Sequence, residues 1–347
     1  MAGKIISKGM LLAVGLLMTA CSPISSPVVW QTEGLEWVAP PAPEQPRIRF
    51  LRQIAGLDDL RQDDTGRPLF KWISGESAAE LPLLSPYGVD ADGEGRIWVA
   101  DPGSAVVHMI DIGRKRIDYL SVFDGRQLVS PVGVAYDRVR QRLYVSDSGL
   151  LEILQFDVNG KYQKSLRPAE TLQRPGGIAI DSTGRLYVAD ALAGDIKVFS
   201  VTGEALPSIG SALAADGKFN RPTNITLDRQ GRIYVVDAMN FRVEIIGLPG
   251  EVPSAIGRLG NVPGSFARPR GIALDSEGHI YVSDAAFDNI QIFDRQGQLL
   301  LILGSGEKGP GQFCMPAGMV TDQWDRLYVV DSCAHRVKVF QFLSENH

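Results

Sequence analysis

The chain has 347 residues, with 35 Lys and Arg against 40 Asp and Glu and a formal net charge of −5. Hydrophobic residues make up 44% of it, which is an ordinary fraction for a globular protein with a sizeable core. The acidic balance argues against nucleic acid as a partner, because phosphate backbones are bound through clusters of Lys and Arg.

Residues 1–20 have the pattern of an export signal. Lys4 and Lys8 precede an apolar run that ends at Met18, and small residues then lead to Cys21. The run is too short to span a bilayer as a helix. A cysteine in this place resembles a bacterial lipoprotein processing site, which implies that Cys21 becomes a lipidated N-terminus; an ordinary secretory signal is the alternative. Ser22 after the cysteine favours, by the same analogy, the outer membrane.

Residues 21–46 are rich in proline and show little hydrophobic periodicity. Such a segment cannot bury enough apolar surface to fold alone, so it is expected to be an extended tether. Loss of residues 1–20 would remove two lysines and leave the remaining chain with a net charge of about −7. The predicted product is an acidic domain, residues 47–347, that is tethered to the cell envelope.

A phrase of about 17 residues recurs six times from residue 85 onward. It reads Pro-x-Gly, a short apolar run and Asp, then a turn and Leu/Ile-Tyr-Val-x-Asp, with minor changes between copies. The copies are 46, 43, 47, 47 and 47 residues apart, and a fixed period of this size is typical of repeat architectures. The phrase closes each time on an acidic residue: Asp101, Asp147, Asp190, Asp237, Asp284 and Asp331.

Each repeat divides into four short strands joined by turns, which predicts an antiparallel meander of the size of a propeller blade. The sixth repeat has only three strands before the chain stops, while residues 47–55 resemble the fourth strand of the fifth repeat. We therefore expect an all-β, six-bladed β-propeller whose ring is closed by an N-terminal strand. The connection from that strand to the first blade, roughly residues 58–84, is 18 residues longer than its counterpart between blades five and six.

The recurring phrase resembles the NHL repeat over residues 85–341. The signatures of two other propeller classes do not fit, because WD40 blades end on Trp-Asp and kelch blades carry a Gly-Gly doublet. The resemblance implies a six-bladed propeller but leaves function open, since its members include amidating lyases, RNA-binding propellers and protein-binding modules. The lyases hold a metal with His from equivalent blade positions, and His108, His279, His335 and His347 are not equivalent.

The Asp that closes each copy is expected to be a structural part of the blade, because it recurs in all six. A different set points to ligand binding. Arg174, Arg221 and Arg268 precede the proline in three successive blades, and Arg270 stands beside them. Such an arc of arginines could hold a carboxylate or a phosphate. The alternative is that each arginine is paired with an Asp of the neighbouring blade.

Asn224 takes the place of the glycine of Pro-x-Gly in blade four. Calcium-dependent lactonases are also six-bladed and bind the ion with Asn and acidic oxygens at the channel mouth. The other five blades have glycine at this position, whereas calcium needs six to eight oxygens. We therefore expect no cofactor, and a calcium-dependent hydrolase or lyase of the envelope is the alternative. An Asn in a left-handed backbone conformation would explain the residue equally well.

Cys314 enters the first strand of blade six and Cys333 follows its second strand, so both belong on the same end of the blade. A disulfide between them is compatible with an oxidising compartment, and two free thiols are the alternative. The sequence as a whole predicts a non-catalytic, monomeric binding or scaffold module of the outer membrane. Its expected partner is an envelope protein or a small acidic ligand, and its expected binding face carries the long connection, the arginines and Asn224.

Overall fold

The computed structural model of the chain describes residues 28, 30, 36–41, 44–45, 47–61, 81–166, 172–214, 217–304 and 309–343. It is 51% strand and 3% helix, with six blades arranged in a ring. The prediction of a six-bladed β-propeller is therefore confirmed. Within the described residues no helix is long and apolar enough to cross a membrane. The predicted export signal and Cys21 lie outside the described residues, and so do His347 and residues 62–80 of the long connection.

Each blade is an antiparallel sheet whose first strand faces the central axis and whose fourth lies at the outside. The strands of blade one are Gly88–Ala91, Arg96–Asp101, Val106–Asp111 and Arg116–Leu120. Those of blade two are Pro131–Asp137, Arg142–Asp147, Glu152–Asp157 and Tyr162–Leu166. Those of blade three are Pro175–Ile180, Leu186–Asp190, Asp195–Phe199 and Ala205–Ile209.

The second half of the ring repeats this order. Blade four contains Pro222–Leu227, Ile233–Asp237, Arg242–Ile246 and Ser254–Ile256, with a 3-10 turn at Ala238–Asn240. Blade five contains Pro269–Leu274, Ile280–Asp284, Asn289–Phe293 and Leu299–Leu303. Blade six contains Pro316–Thr321, Arg326–Asp331 and Arg336–Phe342. Two smaller elements connect blades: a hairpin of Val122–Phe123 and Arg126–Gln127, and the helix Leu57–Arg61.

The ring closes as the sequence predicts. Ile48–Ile54 pairs antiparallel with Arg336–Phe342 and supplies the fourth strand of blade six. The predicted tether needs a correction, however, because Val38–Ala39 pairs with the outer edge of Ile48–Ile54 as a fifth strand. Trp30 also packs on the core between blades six and one. Residues 21–46 contain only a few apolar side chains among many prolines, so the sequence shows no pattern of buried positions there. These side chains become buried on the surface of the propeller and do not form a core of their own.

The repeated aromatic residue of the second strand fills the space between neighbouring blades. Trp98, Tyr144, Tyr187, Tyr234, Tyr281 and Tyr328 are all buried. Four of the tyrosines donate a hydrogen bond to the Asp that begins the preceding turn, at 2.9 Å in Tyr281–Asp275 and in Tyr328–Asp322. In these four blades the aromatic ring of the tyrosine is buried and its hydroxyl has a hydrogen-bond partner, which explains why tyrosine recurs at this position.

The ring has two ends. The loop face is the end where the first strands begin, and it carries the connections between blades and the loops after the second strands. The turn face is the opposite end, and it carries the turns between first and second strands. The predicted arginines and both cysteines of blade six belong to the loop face. Each turn on the turn face begins with an Asp, namely Asp92, Asp137, Asp181, Asp228, Asp275 and Asp322.

Candidate functional site at the mouth of the central channel

The first strands of the six blades enclose a narrow central channel with a cavity of about 190 Å³. Its wall is mainly aliphatic, with Ile178, Ile225, Ile272 and Met319 among the lining residues. A channel this small holds a few waters or the tip of a ligand, so a larger ligand must be recognised at the mouth.

The Pro-x-Gly element shapes that mouth because blades approach each other most closely there. The first strand has a β-bulge at this point in blades two to six. A Cβ atom on Gly88 would collide with the carbonyl oxygen of Val132 in the next blade, and a Cβ on Gly271 with that of Ala317. The glycine is therefore required for close contact of the inner strands, which keeps the mouth narrow and rigid.

Asn224 occupies the one glycine position that is filled by another residue, and its side chain has a local role. Its Oδ1 accepts a hydrogen bond from the backbone N–H of Ile225 at 2.8 Å. The same oxygen lies against Gly177 of blade three, where there is no side chain to oppose it. Beside it, the hydroxyl of Thr223 donates to the carbonyl oxygen of Arg270 at 3.2 Å. Asn224 thus fills the blade three–four contact, and its left-handed backbone alternative does not apply because its φ is not positive.

Three of the four predicted arginines act electrostatically on one tyrosine of the mouth, which sequence reasoning did not select. The guanidinium carbon of Arg270 lies 5.8 Å from the ring centre of Tyr87. Burial raises the pKa of Tyr87, and the charges of Arg270, Arg268 and Arg174 oppose that rise. Tyr87 belongs to blade one, Arg174 to blade three and Arg270 to blade five. Tyr87 lines the channel, so Arg270 stands at its mouth, and Arg268 and Arg174 lie within electrostatic reach of it.

The electrostatics of the mouth are those of an unneutralised cationic site. Burial lowers the pKa of Arg270; Tyr87 opposes this change and the neighbouring charge of Arg268 adds to it. None of Arg174, Arg221, Arg268 and Arg270 forms an ion pair with a carboxylate in the described part of the chain. The alternative, in which each arginine is paired with an Asp of the next blade, is therefore not what the structure shows.

Arg221 lies apart from the other three. It adopts a left-handed backbone conformation with φ 57°, whereas Arg174 and Arg268 do not. Its side chain consequently leaves the chain in another direction, and it lines a separate groove on the loop face between blades three and four. The arc is thus divided into a central group of Arg174, Arg268 and Arg270 and an outer member, Arg221.

Asp90 is the acidic residue of the channel wall, and sequence reasoning did not select it either. Its two oxygens accept backbone hydrogen bonds from Ala91 at 2.7 Å and from Tyr136 of blade two at 2.6 Å. The other first strands carry Ala135, Ala179, Thr226, Ala273 and Val320 at this register. Burial raises the pKa of Asp90 to about 6, although these N–H groups and Arg138 oppose the rise.

The six Asp residues that close the repeated phrase are structural, as predicted. All are buried, and each accepts hydrogen bonds from loop backbone on the loop face. Asp147, for example, accepts four backbone N–H groups, from Val129, Ser130, Gly149 and Leu150, at 2.8–3.0 Å. These carboxylates hold the connection between blades and the loop after the second strand together, so they are not available for a ligand.

The described histidines and cysteines lie away from the channel wall. His108 is buried within blade one, 3.4 Å from Asp101; His279 pairs with Asp275 on the turn face; and His335 is exposed in a loop of blade six. Cys314 and Cys333 are joined by a disulfide with their Cα atoms 5.3 Å apart. Among the described residues there is no group of three or more His, Cys, Asp or Glu placed to hold a metal ion.

These features define the protein as a six-bladed β-propeller with a cationic mouth on one face. The NHL repeat family model matches residues 266–293 and 313–340, which correspond to blades five and six, so the chain carries NHL repeats. The predicted resemblance is thereby confirmed. A comparison with curated proteins finds no significant sequence match.

Solved structures share the fold at low sequence identity. A streptogramin B lyase aligns with a TM-score of 0.57 at 12% identity, over 76% of this chain and 95% of its own. A protein of unknown function from Bacteroides thetaiotaomicron aligns with a TM-score of 0.57 at 16% identity, over 75% and 70% of the two chains. The hydrazine synthase of Kuenenia stuttgartiensis aligns with a TM-score of 0.54 at 14% identity, over 76% and 97%. Identities this low establish a common fold and nothing further.

Proposed function

We propose that this protein is a non-catalytic binding module of the cell envelope that takes an anionic group at the mouth of its channel. The observation that carries the proposal is that Arg270 lies over Tyr87, that Arg268 and Arg174 act electrostatically on the same ring, and that none of the three has a carboxylate partner in the described residues. Unpaired guanidinium groups on a rigid rim are suited to carboxylate and phosphate, because their planar donors match these anions in a bidentate manner. The protein's acidic balance makes the local cluster more specific, since a generally basic surface would bind any polyanion.

The proposal includes the cellular location that the sequence predicts. Lipidation at Cys21 would hold the propeller on a membrane of the cell envelope, and Ser22 favours the outer one. The first described residues, Val28 and Trp30, pack near the seam between blades six and one.

The experiment is the thermal unfolding of the purified full-length chain in sodium citrate and in sodium phosphate, each against sodium chloride of equal ionic strength. A ligand that binds only the native state adds about 1.4 kcal/mol of stability at ten times its Kd. We expect both anions to raise the melting temperature, and the triple variant Arg174→Gln/Arg268→Gln/Arg270→Gln to abolish the effect.

The matched control is Arg229→Gln, which removes an exposed arginine of the turn face that has no ion pair in the described residues. It should retain the full response to both anions. An equal response in the triple variant would contradict the proposal. A response to calcium that EDTA reverses, in place of the anion response, would favour the alternative of a calcium-dependent enzyme.

A further inference from the structure

The loop face carries a second concave feature outside the mouth, a groove between blades three and four. It has a volume of about 520 Å³ and is formed by the loop after the second strand of blade three and the connection that enters blade four. Its walls are held by backbone hydrogen bonds: Phe219 donates to Gly194 at 2.9 Å, and Met239 donates to Asn220 at 3.0 Å. The groove is therefore a preformed part of the ring.

The groove combines three kinds of side chain. Leu192 is 50% exposed and stands beside Ala193, which gives the groove an apolar wall. Arg221 supplies a guanidinium group with no hydrogen bond or ion pair in the described residues. The amides of Asn220 and Asn240 contact each other at 3.4 Å, and they retain donors and acceptors that can bond to a peptide backbone.

The position of Arg221 connects the groove to the mouth. The residue lies directly before Pro222, where the first strand of blade four begins, between the blades that carry Arg174 and Arg268. Packed sheets are about 10 Å apart, so a path from the groove to the mouth exceeds the size of a single phosphate or citrate. An extended peptide advances by about 3.3 Å per residue, so roughly three residues cover one sheet spacing and a peptide of about eight residues can contact both sites.

We infer that the partner of this face is a protein that presents an extended acidic segment with at least one apolar side chain. The apolar side chain packs against Leu192, one carboxylate pairs with Arg221, and a second reaches the arginines of the mouth. This inference rests on the proposed function, because the mouth supplies the second anion site. Charge complementarity favours an acidic peptide over a basic or neutral one, and the apolar wall favours a peptide over a nucleic acid.

The test uses fluorescence anisotropy of the full-length chain with a fluorescein-labelled eight-residue peptide of alternating Glu and Leu. The comparison peptides replace Glu by Gln or Leu by Ser. We expect the Glu-Leu peptide to bind at least fivefold more tightly than either. Leu192→Asp and Arg221→Gln should each weaken its binding by fivefold or more, while the response of the protein to citrate stays unchanged.

The control is Leu151→Asp, which places the same new charge on the loop after the second strand of blade two, outside the groove that contains Arg221. It should change peptide affinity by less than twofold. Equal losses in Leu151→Asp and Leu192→Asp would overturn the inference, as would tighter binding of an eight-nucleotide RNA. Citrate binding without peptide binding would overturn the inference and leave the proposed function standing; loss of both responses would overturn the two together.

Discussion

The arginines of the turns on one face and the arginines of the mouth on the other are used in opposite ways. On the turn face the residue that ends each turn is basic, and it is paired with the Asp of the same turn in five blades: Arg96–Asp92, Arg185–Asp181, Arg232–Asp228, His279–Asp275 and Arg326–Asp322. Blade two pairs Arg140 with Asp137 instead. On the loop face Arg174, Arg268 and Arg270 surround the mouth with no carboxylate partner in the described residues.

This difference separates residues that build the fold from residues that are free to bind. The Asp residues of the loop face accept backbone N–H groups of the loops, and where they also pair with a cation it comes from their own blade, as in Asp237–Arg242 and Asp331–Lys338. The cationic mouth is thus a consequence of how the repeat satisfies its own backbone. Arg174, Arg221 and Arg268, each directly before the proline of a blade, have no carboxylate partner among the described residues, which leaves their charge for the proposed ligand.

The largest expected effect tests this contrast on the turn face. Arg326 is buried, donates to Asp322 at 2.7 Å and lies with its guanidinium carbon 3.7 Å from the ring centre of Trp30. Arg326→Gln leaves Asp322 buried without its cation and should cost about 3–5 kcal/mol of unfolding free energy. Arg268→Gln on the loop face should change it by less than about 0.5 kcal/mol. Urea unfolding of both variants measures the two changes in unfolding free energy. Similar losses of stability in the two variants would show that the mouth arginines are structural.

The next effect concerns the loop face of blade six. Blades one, two, three and five tie the entering connection to the buried Asp by two consecutive N–H groups. In blade six only Cys314 donates to Asp331, and the disulfide to Cys333 adds the second tie. Closing a loop of about 20 residues is worth roughly 3 kcal/mol.

The double variant Cys314→Ser/Cys333→Ser should therefore lose about 3 kcal/mol of stability. Its thermal unfolding should no longer respond to dithiothreitol, whereas the parent protein should lose a similar amount on reduction. A parent protein that melts at the same temperature with and without the reductant would contradict the assignment of a stabilising role to this bond.

The fold could be predicted because the residues that determine the structure of a blade recur in all six repeats. Glycine marks the close approach of inner strands, tyrosine the space between blades, and Asp the loops that it ties, so six copies give the same information six times. The fifth strand of blade six, Val38–Ala39, and the packing of Trp30 could not be predicted in this way. Each occurs once, and each depends on a surface that exists only after the ring has closed.

The site was only partly predictable for a related reason. The arginines were found because they break the pattern at equivalent positions, but their division into a central group and Arg221 depends on a backbone angle that the sequence does not reveal. Tyr87 and Asp90 were missed although they also depart from their equivalents in other blades. A departure from the pattern at these positions matters chemically because the first strand lines the channel. Only the geometry of the closed ring shows this.

The smallest expected effect concerns Asp90, in the wall of the channel that connects the two faces. Burial raises the pKa of Asp90 to about 6, so the folded protein holds its proton at a pH where the unfolded chain has released it. The contribution of Asp90 to stability must therefore fall as the pH rises from about 4 through 6, and linkage sets this loss at roughly 1–3 kcal/mol. Asp90→Asn carries no charge at any of these values and should flatten the pH profile of the unfolding free energy by that amount, apart from a constant offset. The matched control is Asp118→Asn, which makes the same change outside the channel at a partly exposed residue of the same blade that pairs with Arg116 at 2.6 Å. If the Asp90→Asn profile followed the parent protein, the ionised carboxylate would have to be stabilised within the channel, and the arginines of the mouth would then have an acidic counterpart inside the ring.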